Sequence, residues 1–384
     1  MSDFLKITSQ INTSTTGALT RSLLIFSREE VAGFTPDPVT GLYTINSDDF
    51  EAFQTANPNS LALISNLDII FSQVYKYDYV YILSDPDGLS ESLLNQANLD
   101  PRLWSYSTIA DRLQCSDPED ESFDNYMNDI QTFINWNTND IGKICVHTIS
   151  AEETDNAIYV PEEFLPNGEF RNLQVKTIVS NDKTMTEGSI PVYHNIVLAQ
   201  LSFVINGIVL ARSWGSFSDA HDFAVIDSDS YSTTVRNYLE TNKLGQYNAK
   251  KDRTGKKFFY DTITNSNAIQ IESLDAAFYI RDYVYVYINN ITTAAGFTGI
   301  TNDDAGIQFF VGLVRKALLN CFANGLILSK ENGNMDASVS FKTAAEVTAI
   351  DPTWQYTGVW ISGMFVATVR PFACAHEITL NFIF

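Results

Sequence analysis

The chain has 384 residues, 45% of them hydrophobic, and a mean hydropathy of −0.06. That is long enough for two or three domains and too apolar for a disordered chain. Its 46 acidic against 24 basic residues leave a formal charge of −22, which argues against nucleic acid or anionic lipid as a surface-wide partner and favours a basic protein neighbour. Cysteines at 115, 145, 321 and 374 are widely spaced with no CxxC, so neither a zinc site nor a disulfide framework is expected and the thiols read as reduced and mostly buried.

In chain order, Phe4 to Ile11 alternates apolar and polar residues and is cut off from the next apolar run by the polar stretch Asn12 to Gly17. It reads as a detachable strand. No basic region followed by an apolar core precedes it, so no secretory signal is read and synthesis in a cytosol is expected. Ser22 to Ser27 is a compact apolar strand, followed by a loop holding Pro36, Pro38 and Gly41. Ser47-Asp-Asp caps one helix, and Asn59-Ser60 caps a second with Leu63, Ile64, Leu67, Ile70, Phe71 and Val74 on its core face. Tyr77 to Leu83 is an aromatic, β-branched strand stopped by the turn Ser84-Asp-Pro-Asp-Gly88. Helices are expected over Leu89 to Gln96, Arg102 to Leu113 and Glu119 to Trp136, and strands over Lys143 to Ile149 and Leu173 to Val179. Strands alternating with helices predict crossover units and a largely parallel sheet covered by helices.

The longest apolar segment, Ile196 to Ala211, is shorter than a membrane span and holds Gln200 and Asn206, so it reads as a buried helix. From Gly215 to Gly255 the chain turns polar, with a short helix over Ser232 to Glu240 and the basic cluster Lys250 to Lys257. That cluster reads as a solvated loop or as a contact with an acidic neighbour. Ile280 to Tyr287 is an aromatic-rich apolar stretch. Asn302-Asp-Asp then caps a helix whose core face is Ile307, Phe310, Val311, Val314, Ala317, Leu318, Cys321 and Phe322. Gln308, Arg315, Lys316 and Asn320 stand opposite, and Asn324-Gly325 ends it. From Tyr356 the sequence alternates through Val359, Ile361, Phe365, Ala367 and Val369, breaks at Pro371, and resumes from Ile378 to Phe384 as an apolar strand that something must pair.

Catalytic motifs fail on inspection. Gly255-Lys256-Lys257 lacks the upstream glycine and the Ser/Thr of a phosphate-binding loop, His376-Glu377 has Leu380 where a second histidine belongs, and Gly215-Ser-Phe-Ser has no closing glycine. Asp219, His221, Asp222, Asp227 and Asp229 offer imidazole and carboxylates in a short span, as a metal or acid-base site needs, but also as turns and caps need, with Asp229 placed to cap the Ser232 helix. An α/β enzyme centred on this cluster stays open as the alternative. His147 and His194 have no ligand-spaced partner and read as structural. No catalytic residue, metal site or cofactor is assigned.

The arm before Leu23-Leu-Ile-Phe26, the piece Ile70 to Tyr81, the late helix from Asp304-Ala-Gly-Ile to Ala323-Asn-Gly-Leu-Ile327, and the closing strands to Ala375-His-Glu-Ile-Thr-Leu380 together resemble the contractile-tail sheath proteins of bacteriophages, in particular a shorter, sheath-like group. The resemblance implies a multidomain α/β fold: an N-terminal arm over 1–20, a helix-covered mixed sheet over 21–215, a polar excursion over 216–265, an inner α+β domain over 266–370 and a C-terminal strand arm over 371–384. It implies a non-enzymatic subunit of a virion tail, assembled in the host cytoplasm. Such subunits stack helically on copies of themselves around a tail tube protein, with baseplate and tail terminator proteins as further partners, and contract during genome delivery. Phe4, Ile7 and Ile11, with Ile378, Leu380 and Phe382, would be the strands added to neighbouring copies, and Arg315 and Lys316 would touch the tube. Neither nucleic acid nor membrane is a partner on this reading.

Overall fold

A strand whose two faces are both apolar needs cover on both sides. In the computed structural model β1 (Leu23–Ser27) is buried at every residue. The structure describes residues 22–72, 79–100, 103–110, 113–114, 121–137, 143–151, 153–170, 175–180, 231–246, 248–251, 257–260, 271–357 and 364–371. Described residues up to Ile271 belong to one compact unit and those from Glu272 to a second.

In the first unit β1 pairs in parallel with β3 (Tyr79–Ser84) on one side and β4 (Tyr106–Ile109) on the other. β4 and the short β5 (Leu113–Gln114) both pair in parallel with β6 (Ile144–Ser150), followed outward by β7 (Val175–Ser180) and β8 (Gly245–Gln246). β2 (Tyr43–Asn46) closes the other edge as the antiparallel neighbour of β3. The order is therefore β2-β3-β1-β4-β6-β7-β8. β1 has its next parallel strand on one side and the one after that on the other, so the chain direction reverses between β1 and β4. In doubly wound sheets that reversal opens the ligand crevice.

Helices α1 (Phe50–Ala56), α2 (Leu61–Ser72), α3 (Glu91–Ala97), α4 (Glu121–Asn137) and α5 (Thr233–Thr241) connect and cover these strands. Leu24, Phe26, Tyr81 and Leu83 pack with Leu94 of α3 and Tyr126, Ile130 and Phe133 of α4 in one cluster. Strand alternation puts Leu23, Ile25, Val80 and Ile82, all fully buried, on the opposite face, where α2 lies against β1. The core face expected on α2 is buried at Leu63, Leu67, Ile70 and Phe71 and half-buried at Ile64. Val74 lies outside the described residues.

The helix expected over Arg102 to Leu113 is not there. Trp104 to Ala110 is buried at every position, which a helix lying on a sheet cannot achieve but a central strand does, and the segment supplies β4 and β5. The α2 cap also differs. Ser60 Oγ donates to the Glu30 carbonyl (3.2 Å), and the Glu29 carboxylate accepts from the Ala62 and Leu63 amides (3.0 and 2.9 Å). Ser232 caps α5 through its own hydroxyl, accepting from Val235 N at 3.3 Å. Asp229, expected there, lies outside the described residues, as does Ile196 to Ala211. The basic cluster is more than a loop, because β9 (Asn248–Lys251) and β10 (Lys257–Tyr260) form an antiparallel pair with Lys257 in register with Lys251.

The second unit is built on two long helices, α6 (Ile271–Thr292) and α7 (Asp304–Ala323). α6 absorbs Ile280 to Tyr287, whose Tyr-Val-Tyr-Val-Tyr alternation favours a strand. Instead Tyr279, Tyr283 and Tyr287 stack at successive turns, with ring centroids 6.2 Å apart. β11 (Ala337–Phe341), α8 (Ala344–Ile350), the single turn α9 (Trp354–Thr357) and β12 (Phe365–Val369) come next. Tyr356, read as the start of a strand, belongs to α9 and is 88% exposed. The core joins Ile307 and Val311 of α7 to Val347, Trp354 and Met364.

Two exposed carboxylates fix the helix starts of this unit. Asp303 is held below the usual aspartate range by the Thr301 hydroxyl and then the Gly306 amide. Glu346 is held below its usual range by the Thr343 amide and then the Thr343 hydroxyl, completing a capping box. A carboxylate whose folded pKa is depressed stabilises above its unfolded pKa, and that contribution goes as pH falls through the folded value. Thermal melting followed between about pH 5 and 2 should therefore show an acid-side loss that shrinks in Asp303→Asn and Glu346→Gln. An unchanged slope in both variants would remove these caps from the acid response.

Candidate assembly interface

The β11–β12 sheet has two strands only among the described residues, in antiparallel register from Ala337↔Val369 to Phe341↔Phe365. Lys342 N donates to Met364 O and Arg370 N to Asp336 O, both at 3.0 Å. Hydrogen-bonded pairs alternate along an antiparallel ladder, so the peptide groups of Ala337, Val339 and Phe341 on one strand, and of Ala367 and Val369 on the other, point outward. The same outward-pointing set carries the side chains that lean on α7: Val339, Phe341 and Phe365 join the core cluster, and the Phe310 and Phe365 rings approach to 4.6 Å. The outer face is Ser338, Ser340, Val366 and Thr368, exposed and uncharged. Neither strand carries a lysine or proline to deter a further strand. A two-stranded sheet is marginal by itself, and among the described residues nothing pairs with the outward-pointing peptide groups of Val339 and Ala367.

α7 owes its position to its ends. Asp303 caps it, and Asp304 accepts from Ala344 N at 2.8 Å, tying the start of α8 to the start of α7. Gly325, at φ 75°, terminates it as expected. Its inner face, Ile307, Phe310, Val311, Val314, Ala317, Leu318 and Cys321, is buried. By length and composition α7 could cross a membrane, but its apolar content is what fills this core. On the outer face Gln308, Phe309, Arg315, Lys316 and Leu319 are exposed. Arg315 and Lys316 make no ion pair with any described residue. Asn320, read as exposed, is half-buried and donates to the Tyr283 hydroxyl of α6 at 3.2 Å.

In the first unit, the crevice at the sheet's reversal is filled from within. The Glu29 carboxylate occupies the α2 N-terminus, where an anionic ligand would sit in a nucleotide-binding sheet. Arg28 turns the other way and grips Asp129 of α4 through Nε and Nη2 (2.9 and 2.8 Å), while Leu89 N donates to the same carboxylate at 2.9 Å. His147, fully buried on β6, lies 3.0 Å from the Tyr126 hydroxyl and 3.0 Å from Thr177 Oγ1. It is a hydrogen-bonded core residue, as read. Burial pushes the Cys145 and Cys321 thiols to about 12, so neither is a nucleophile at neutral pH. Among the described residues no group of His, Cys, Asp and Glu could hold a metal ion. Asp219, His221, Asp222, Asp227 and Asp229 lie outside them, as do His194, Cys115, Cys374 and the arm residues Phe4, Ile7, Ile11, Ile378, Leu380 and Phe382.

No protein-family model and no curated protein matches the sequence. Solved structures do. A chain of the anti-feeding prophage baseplate superposes with a TM-score of 0.59 over 97% of this chain and 97% of its own, at 12% identity. The fold is therefore shared, nearly end to end, with that baseplate chain. A sheath tail protein of Listeria innocua aligns over 88% of this chain and 92% of its own at 9% identity, with a TM-score of 0.47, too loose a superposition to argue from.

Within this fold, sequence reasoning missed β11 and Phe309. Ala-Ser-Val-Ser-Phe does alternate, but it received no assignment, because serine at its outward positions leaves only three apolar residues to carry the signal. Phe309 and Leu319 passed as ordinary helix residues, because exposure of an apolar side chain is not written in helical periodicity when the apolar arc is wide.

Proposed function

We propose that this chain is a structural subunit of a contractile tail sheath. Copies stack helically around a tail tube, joined by terminal strands added to neighbouring copies' sheets, and contract during genome delivery from a virion tail assembled in the host cytoplasm. The observation that carries the reading is the likeness of fold over nearly the whole of both chains to a baseplate component. The outward-pointing edges of β11 and β12 support it, since they offer acceptor strands for arms such as Phe4 to Ile11 and Ile378 to Phe384. Each net backbone hydrogen bond contributes only about 0.5–1.5 kcal/mol, so a few per joint hold neighbours while domains reorient. Arg315 and Lys316, exposed and without an ion pair among the described residues, are the proposed tube contacts. Baseplate and terminator proteins would cap the two ends of the stack.

Removing residues 375–384 is the direct test. The truncated chain is expected to fold as a monomer and to form no helical assembly by negative-stain electron microscopy or sedimentation. Long assemblies from the truncated chain would sink the strand-joint model.

A further inference from the structure

Two stretches of the first unit carry concentrated and opposite charge. Between Lys250 and Lys257 stand five of the chain's 24 basic residues, with Asp252 the single acid among them. Between Ala151 and Phe170 stand six acidic residues and no basic one.

The basic stretch is held by little. β9 begins one residue after β8 ends, so the chain leaves the last strand of the main sheet and turns back on itself as the β9–β10 pair, which has no third strand among the described residues. A lone pair of strands is marginal, and Lys251 stands in register with Lys257, where like charges oppose pairing. Such a hairpin gains from an anionic cover.

The acidic stretch is firmly built. Thr154 and Ala157 exchange both backbone hydrogen bonds (2.8 and 3.0 Å) around Asp155 and Asn156, which take φ 52° and 60°. The 3-10 turn Glu162–Phe164 is closed by Phe170 N, which donates to Glu163 O at 3.0 Å, and a Cβ on Gly168 would collide with the Glu162 and Glu163 carbonyls. Phe164 and Phe170, with ring centroids 5.1 Å apart, pin the stretch to the core. Asp155, Glu162 and Glu169 are left exposed with no ion pair among the described residues, and Tyr159 between them is 56% exposed. Charges fixed in this way lose little freedom on binding, so the surface is pre-organised for a cationic partner.

One chain thus carries both halves of a complementary pair. We infer that the β9–β10 hairpin of one copy seats on the acidic stretch 153–170 of a second copy. This rests on the proposal that copies stack, and adds to it a joint separate from the terminal strands.

The test uses two full-length variants, Lys250→Glu/Lys251→Glu/Lys257→Glu and Asp155→Lys/Glu162→Lys/Glu169→Lys, alone and mixed in equal amounts, with polymerisation followed by sedimentation and negative-stain electron microscopy. Each variant alone should need at least tenfold more protein to polymerise than the unaltered chain. Reversing the acids lowers the net charge, so general repulsion between copies would favour assembly of that variant, and its loss is expected from a specific contact. The mixture should polymerise near the unaltered concentration, because reversed hairpins then meet reversed acids on alternate copies, a rescue that misfolded chains cannot give. Normal polymerisation of either variant alone overturns the inference and leaves the terminal-strand joints standing. Loss in both without rescue on mixing also overturns it, since the two stretches then pair within one copy or serve another partner. If the unaltered chain does not polymerise, the sheath reading itself falls and this inference falls with it.

Discussion

Asp129→Ala is expected to lower the melting temperature of the chain by roughly 6–20 °C. Asp129 is 2% exposed and accepts three charge-assisted or backbone hydrogen bonds: two from Arg28 and one from Leu89 N. Truncating it leaves a guanidinium, only partly reached by solvent, beside a core of Leu24, Phe26 and Tyr126, and leaves the Leu89 amide unsatisfied. Breaking one side of a buried pair costs about 3–5 kcal/mol, and in a unit of this size each kcal/mol moves melting by about 2–4 °C. The exposed Asp124, on the same helix, is the control. Its alanine variant should shift melting by no more than about 2 °C. A similarly small shift for Asp129→Ala would show that Arg28 finds another partner and that the end of β1 is not held by this carboxylate.

The second large effect is on assembly rather than folding. Proline fits a strand only where its missing N–H would face away from the sheet. Val339 and Ala367 occupy such positions on the two edges of the β11–β12 pair, whereas Val366 donates inward. Val339→Pro and Ala367→Pro should therefore give chains with an unchanged circular dichroism spectrum that fail to polymerise, each because one edge can no longer accept a neighbour's strand. Val366→Pro should instead unfold the pair and reduce melting. Polymers of normal length from both edge variants would mean that these edges are not where copies join.

Most of the first unit was legible in the sequence because its signals are local. Leu23-Leu-Ile-Phe26 cannot be other than a doubly covered strand, and Ser84-Asp-Pro-Asp-Gly88 cannot be other than a turn. The failures come where local and tertiary preference disagree. Leu103 to Leu113 mixes Trp, Tyr, Ile and Ala at spacings that fit a helix, and only its place between β1 and β6 makes it strand. Ile280 to Tyr287, read only as an aromatic-rich apolar stretch, shows the reverse conflict: the strand-like alternation of Tyr283-Val-Tyr-Val-Tyr287 is held in α6, where stacked tyrosine rings at successive turns make up for β-branched residues at the positions between. Of the candidate interface, Arg315 and Lys316 could be placed on the outer face of α7 from periodicity alone. The outward-pointing peptide groups of β11 and β12 could not, because they depend on a pairing between residues some thirty positions apart.

The tripeptide Ser27-Arg28-Glu29 has a mechanical meaning. Ser27 O accepts from Asp85 N (3.0 Å) and Glu29 O from the Ser84 hydroxyl (2.6 Å), binding the end of β1 to the end of β3. Arg28 fastens the same point to α4 on one face of the sheet and the Glu29 carboxylate fastens it to α2 on the other. A pull arriving at the carboxyl end of the central strand is therefore divided at once among a neighbouring strand and both covering layers, instead of peeling one element away. Where a nucleotide-binding sheet would seat an anionic ligand at this helix start, this one seats its own Glu29 carboxylate, and the end of β1 is riveted to both layers.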